Sequence, residues 1–125
     1  MAIVGTGTDL ARIERFRKFL DPDNKVLERV FSEDERAYSL AMKDPAPHLA
    51  ARFAAKEAFL KALGTGLRSG LAWQQVLVVR DSLGCPSLQL SGRAAEMMAE
   101  RGAQSAHLSY SHDGDYAVAT VILES

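Results

Sequence analysis

Asp9 and Glu57 are the carboxylates of this 125-residue chain that stand out in apolar surroundings, and Arg52, Lys56 and Lys61 put three cations around the second of them. A hard divalent ion such as Mg2+ takes one or two carboxylates together with phosphate oxygens and water, and seldom a full protein cage. The cations could hold the non-bridging charges of a phosphate or diphosphate. Spacing alone does not bring Asp9 to Glu57. His48, His107 and His112 lack metal-ligand spacing, which argues against zinc. His107 falls inside a predicted strand and reads as a core or surface residue, whereas His112, after Ser111 at a strand end, fits a site or the flank of a turn.

The element that must carry most of these groups is a helix over Arg52–Gly64. At roughly 100° per residue, Leu49, Phe53, Leu60 and Leu63 form one apolar stripe, and Ala51, Ala55, Ala58 and Ala62 a small-residue stripe opposite. Both sides look packed, so the helix should be central and largely buried. Lys56 projects within the apolar stripe and Glu57 from its edge. Arg52 and Lys56 are like charges one turn apart, which costs roughly a few tenths of a kcal/mol on a bare helix. Two readings stand: an anion lies against that face, or Glu57 pairs with Lys61 on the surface while Lys56 snorkels outward.

The other elements follow from local signals. Ile3–Leu10 reads as a strand that delivers Asp9 at its end, with Gly5 and Gly7 allowing a close approach of backbone or ligand. The spacing of Ile13, Phe16 and Leu20 predicts an amphipathic helix over 11–20, with Arg15 and Lys18 outward, Arg12 and Arg17 flanking, and Glu14 the one anion. Ser32 and Glu35 form a capping box for a helix to about Met42. Pro47 could open the central helix and Gly64 cap it. Val76–Arg80 and Pro86–Leu90 read as a hairpin, Arg93–Arg101 as a short helix, and Ala106–Ser111 and Tyr116–Leu123 as strands joined through His112–Asp115. The loop Thr65–Gly70 lacks the ending of a P-loop.

Composition sets the outer bounds. The length fits one domain over 1–125, and 47% apolar residues suffice for a core. A formal charge of −1 leaves no basic footprint for nucleic acid. One cysteine, Cys85, permits no internal disulfide, and no apolar run approaches membrane-spanning length, so a soluble cytoplasmic protein is expected.

Four motifs occur in order: Gly7-Thr8-Asp9; Phe31-Ser32-Glu33-Asp34-Glu35; Arg52-Phe53-Ala54-Ala55-Lys56-Glu57-Ala58 running on to Lys61 and Gly64-Thr65-Gly66; and Ser111-His112. Together they resemble the small 4′-phosphopantetheinyl transferases, the holo-acyl-carrier-protein synthase family, over nearly the whole chain. The resemblance implies an α+β fold with an antiparallel sheet packed around the long central helix, and a homotrimer with active sites at subunit interfaces. It implies Mg2+-dependent transfer of 4′-phosphopantetheine from coenzyme A to a serine of apo-acyl carrier protein, leaving adenosine 3′,5′-bisphosphate. Carried over by position, Asp9 and Glu57 would be the Mg2+ ligands, and Lys56 would bind phosphate at the reacting diphosphate. Arg52, Lys61, Gly66 and His112 would contact coenzyme A. The larger single-chain relatives have an acidic residue two positions after the Asp; here that position is Ala11, so water is expected in its place.

Such a reaction needs charge neutralisation on the phosphoryl oxygens and a proton acceptor. Glu57 or a metal-bound hydroxide could accept the proton, and the residues do not choose between them. The basic set Arg12, Arg15, Arg17 and Lys18 fits an acidic helical carrier protein as partner. Another Mg2+-dependent phosphate-ester enzyme, or a non-catalytic oligomeric binding module, would use the same residues differently.

Overall fold

In the N-terminal segment, small or acidic residues at odd positions (Gly5, Gly7, Asp9, Ala11) alternate with Val4, Thr6, Thr8, Leu10 and Arg12. That period of two belongs to a strand with one face against a partner. In the computed structural model, which describes residues 1–125, it is strand β1 (Ile3–Arg12). It pairs antiparallel with β5 (Tyr116–Glu124), which pairs on its other side with β4 (Ser105–Asp113), so the sheet order is β1-β5-β4. Helix α4 (Pro45–Leu63) lies across the inner face of this sheet, and Lys61 is its only exposed residue. The expected α+β arrangement of an antiparallel sheet around a buried central helix is thus what the chain adopts.

The glycines of β1 decide how close the sheet and helix come. A Cβ on Gly7 would run into the carbonyl oxygen of Ala58 and stand 2.6 Å from the Ala62 nitrogen. A Cβ on Gly5 would meet the Ala62 carbonyl in the same way. Small residues on both partners therefore let two backbones touch, and this contact carries Asp9 to the flank of α4. Gly7→Ala is expected to cost about 2 kcal/mol or more, because neither backbone can yield without moving the sheet. Denaturant unfolding with a wild-type midpoint would contradict this.

Around that pair sit α1 (Ile13–Lys18), α2 (Val26–Val30), α3 (Glu33–Leu40) and α5 (Gly92–Glu100), with a separate hairpin of β2 (Val76–Arg80) and β3 (Pro86–Leu90). Phe16, Phe31, Phe59, Leu49, Leu60 and Leu63 are among the fully enclosed side chains of the core. The ring of Phe53 links α1 to the 3-10 turn at Trp73–Gln75, with centroids 5.5 Å from Phe16 and 5.3 Å from Trp73. No helix is long and apolar enough to cross a membrane.

Several boundaries differ from the sequence reading. The expected helix over 11–20 spans only Ile13–Lys18, because Ala11 and Arg12 continue the β1 ladder opposite Ala117 and Tyr116. Arg12 is therefore a strand residue, bonded to the Tyr116 hydroxyl at 3.0 Å, and not part of a basic helix face. Short α2 carried no strong local signal; the Asn24 side chain accepts from the Val26 N–H in its first turn. Helix α3 has the capping box and ends at Leu40, short of Met42. Helix α4 starts at Pro45 and closes at Gly64, whose φ of 79° favours glycine. Strand β4 runs through His112 to Asp113, leaving Gly114 and Asp115 as the turn.

Candidate active site

Asp9 reaches α4 because the odd positions of β1 face the helix. Lys61 Nζ donates to Asp9 Oδ1 at 2.9 Å and to the Thr8 carbonyl at 3.1 Å. Lys61 thus pairs with Asp9, not with Glu57 as the surface reading had it. Burial raises the Glu57 pKa, and the negative charge of Asp9 raises it further, against the opposing pull of Lys61 and Arg15. The two carboxylates therefore share one electrostatic neighbourhood, as the distant motifs require but could not show. A half-buried carboxylate made costlier by a second carboxylate nearby is what a divalent cation relieves. The donor set consists of this pair, with no third His, Cys, Asp or Glu to complete a protein cage. That composition fits Mg2+ held jointly with phosphate oxygens and water.

A second cluster gathers on another side of the same helix. Arg52 is 2% exposed, yet its one protein bond is from Nη1 to the His48 carbonyl at 3.1 Å, and it has no carboxylate partner. Its guanidinium lies 4.3 Å from the centre of the Tyr38 ring, and Arg80 covers that ring at 4.9 Å. Arg52 and Arg80 open into a cavity of about 340 Å³ shared with His48, Tyr110, Ser111 and His112. The buried Tyr110 hydroxyl has no hydrogen-bond partner. The buried charge of Arg52 without an acid beside it, together with free hydroxyl and imidazole groups, suits an anion.

His48 reports the same field. Burial lowers its pKa, followed by the positive charges of Arg52, His112 and Arg80, with Asp44 opposing. Because the folded pKa lies below the unfolded value of about 6.5, the unfolded chain binds more protons as the pH falls, and stability drops with it. His48→Gln should lose less stability than the wild type between pH 7.5 and 5.5 in urea unfolding. Equal losses would remove His48 from the cluster.

The two clusters do not form one cavity within one chain. Arg52 and Glu57, five positions apart on α4, point roughly 140° away from each other. Asp9 and His112 stand on opposite edge strands of the sheet. The sequence reading joined Arg52, Lys61 and His112 in one ligand-contacting set; the structure puts Lys61 with the carboxylates and Arg52 with His112. Gly66 lies in the exposed loop after α4, with a φ of 76°, and does not line the cavity of Arg52 and His112. His48, Tyr38, Arg80 and Tyr110 were missed. His48 had a usable signal, one helical turn before Arg52; the others arrive from α3, β2 and β4 through tertiary packing alone.

Lys56 is a correction. Its side chain is fully enclosed, and its ammonium donates to Glu35 Oε1 at 2.9 Å, the Val76 carbonyl at 2.7 Å and the Trp73 carbonyl at 3.1 Å. Three donors meet three protein acceptors, which leaves none for phosphate. Lys56 neither snorkels outward nor reaches the carboxylate pair.

Of the helical cations, Arg17 is tied to Asp44 at 2.8 Å and to Glu14 at 3.3 Å. Arg15 leans over the Phe16 and Phe53 rings, toward the Glu57 flank of α4. Lys18 is exposed and has no ion-pair partner.

A carboxylate pair suited to a divalent ion and an arginine-lined cavity suited to an anion, on one α+β scaffold, fit a protein that handles phosphate-bearing ligands. The family model for the 4′-phosphopantetheinyl transferase superfamily matches residues 5–121, and the chain belongs to that family. It is 60% identical over 121 residues to the holo-[acyl-carrier-protein] synthase of Syntrophotalea carbinolica, covering 96% of this chain and 94% of that protein. Among solved structures it resembles the holo-[acyl-carrier-protein] synthase of Neisseria meningitidis, with a TM-score of 0.86 and 32% identity over 99% of this chain and 100% of that one. It also resembles the Bacillus anthracis enzyme in complex with CoA (3′,5′-ADP), with a TM-score of 0.81 and 38% identity over 98% and 97% of the two chains.

Proposed function

We propose that this chain transfers 4′-phosphopantetheine from coenzyme A to a serine hydroxyl of apo-acyl carrier protein. The observation that carries the reading is that Asp9 and Glu57 share one electrostatic neighbourhood beside Lys61, together with a cavity lined by Arg52 and no acid, in a chain of this family. The serine oxygen forms a bond to the phosphorus that bears the pantetheine arm, and the bond from that phosphorus to the bridging oxygen breaks. Adenosine 3′,5′-bisphosphate leaves with the electron pair. Asp9 and Glu57 would hold Mg2+, which when bound supplies charge neutralisation at the diphosphate. Lys61, half-exposed beside Asp9, adds a mobile positive charge there. The serine proton passes to a base at this cluster, of which Glu57 is a carboxylate that the chain itself supplies. Arg52, Arg80 and His112 hold a further phosphate of coenzyme A.

The separation of the two clusters supports an oligomer with shared sites. The outer face of the sheet carries exposed Val4, Leu10 and Tyr116 beside half-buried Val118 and Ile122, an apolar surface that nothing in the chain covers. Self-association through it is the expected outcome, and the family implies a homotrimer. The carboxylate cluster of one copy then faces the Arg52 pocket of the next. A stable monomer in sedimentation at micromolar concentration would contradict the assembly.

The carrier protein docks at α1, where Lys18 and Arg15 offer unpaired charge to an acidic helix, in the cytoplasm where exposed Cys85 stays reduced. Lys18→Glu should raise the KM for the carrier protein about fivefold and flatten its salt dependence, since rim charges act through screened attraction. The KM for coenzyme A should stay put; a parallel rise in both would assign Lys18 to the nucleotide site.

The test of the whole reading is mass spectrometry of apo-carrier protein incubated with coenzyme A, Mg2+ and this chain. One added phosphopantetheine per carrier, with adenosine 3′,5′-bisphosphate released, is expected. An unmodified carrier with free phosphate in solution would point to a different phosphate-ester enzyme.

A further inference from the structure

The hairpin β2–β3 has an open edge. It is only two strands wide, and the Val76 carbonyl and Val78 N–H point away from β3. Unpaired strand groups inside a protein need partners. No strand supplies them here. Lys56 Nζ donates to the Val76 carbonyl at 2.7 Å, and Glu35 Oε2 accepts from the Val78 N–H at 2.8 Å. Glu35 Oε1 also accepts from the Ser32 N–H at 2.8 Å and from Lys56 at 2.9 Å. One ion pair therefore imitates a neighbouring strand and closes the start of α3 at the same time. Burial pushes the Lys56 pKa down, with Glu35 pulling it partly back.

The elements this pair joins are those that build the anion pocket. Tyr38 follows Glu35 by one turn of α3, Arg52 precedes Lys56 by one turn of α4, and Arg80 is two residues beyond Val78 on β2. Those three side chains form the stack in which Tyr38 lies against both guanidinium groups, at 4.3 and 4.9 Å. A slip of β2 along α4 would break the Glu35–Lys56 bonds and the stack together.

We propose that Glu35 and Lys56 are positioning residues for the Arg52–Arg80 pocket: they set the spacing of its two guanidinium groups and touch no substrate. This rests on the reading of that pocket as a coenzyme A subsite. Neither residue belongs to the carboxylate cluster, so their loss should weaken ligand binding and leave the transfer step nearly alone. Glu35 would thus be needed for coenzyme A affinity although it is 3% exposed and does not line the cavity that Arg52 and Arg80 share with His48 and His112.

The test compares Glu35→Gln and Lys56→Met with the wild type for coenzyme A affinity by calorimetry and for steady-state transfer. Glu35→Gln keeps the side-chain shape and can still accept from the Val78 N–H. Both variants should weaken coenzyme A binding by about tenfold and to a similar degree, with kcat within about threefold of wild type, as expected when a binding group is misplaced and the reacting groups are not. A large fall in kcat for Lys56→Met beside an unaffected Glu35→Gln would overturn the proposal and return Lys56 to the diphosphate. Lower melting temperatures with wild-type affinity in both would also overturn it, since the pair would then only stabilise the fold. Should Lys56→Met fail to fold, the affinity of Glu35→Gln decides alone. A wild-type chain that binds coenzyme A and transfers nothing would refute the proposed function, while the calorimetric comparison would still decide the role of the pair.

Discussion

Asp9→Ala and Glu57→Ala are each expected to lower transfer by at least about a hundredfold while the chain stays folded, the effect of removing charge stabilisation worth roughly 3 kcal/mol. The fold should survive because neither side chain fills core volume. Asp9 bonds only to Lys61, at the mouth of the cluster, and Glu57 is half-buried at the edge of α4. Glu57→Gln, which keeps the shape and removes the charge, should lose activity to the same degree as Glu57→Ala. The melting temperature of Asp9→Ala should not fall, since Asp9 makes burying the Glu57 charge harder. Near wild-type transfer in both alanine variants would remove the carboxylate pair from the reaction.

What the sequence could reveal depended on how local each cause is. The capping box of Ser32 and Glu35 is written within four residues, and the structure has both of its bonds. The stripes of α4 and the stop at Gly64 were equally plain, because helical periodicity and a left-handed cap are local properties. Lys56 was misjudged for the opposite reason. The carbonyls that occupy its ammonium belong to Trp73 and Val76, and its counter-ion to α3, so no pattern within one helix could show that its charge is met internally. The end of β1 failed in the same way: Ala11 and Arg12 suit a helix by spacing, and only the length of β5 makes them strand.

The candidate site was legible in part. Asp9, Glu57, Arg52, Lys61 and His112 were singled out, and each lies in one of the two clusters. The opposition of Arg52 to Glu57 follows from helical spacing alone; what was hidden is which strand each side meets, because that depends on the rotation of α4 against the sheet. That rotation is set by the backbone contact of Gly7 with Ala58, a feature whose glycines were visible but whose partner was not. Arg80 and Tyr110 had no signal at all; each ends or lines a strand whose neighbours arrive from far along the chain.

Arg52→Ala should have the second large effect. It removes the one enclosed cation that no acid balances, so the fold is spared a buried charge while the anion loses its deepest contact. Coenzyme A affinity is expected to fall about a hundredfold, in the range for a charge-assisted contact in an enclosed pocket. Unlike the carboxylate variants, Arg52→Ala should recover much of its rate at high coenzyme A, which separates binding from chemistry. An unchanged affinity would leave the pocket without its proposed ligand.

These two classes of variant together test whether the active site is built from two copies of the chain. Asp9→Ala and Arg52→Ala chains, each weakly active alone at limiting coenzyme A, are unfolded together, refolded as a mixture and assayed for transfer. If the carboxylates of one subunit act with the Arg52 pocket of the next, random assembly from equal amounts restores about a quarter of the sites, since a site is intact when each neighbour supplies its undamaged half. Activity rising to about a quarter of wild type is the expected result. Activity no higher than the mean of the two separate variants would mean that each site lies within one chain, and would contradict the account.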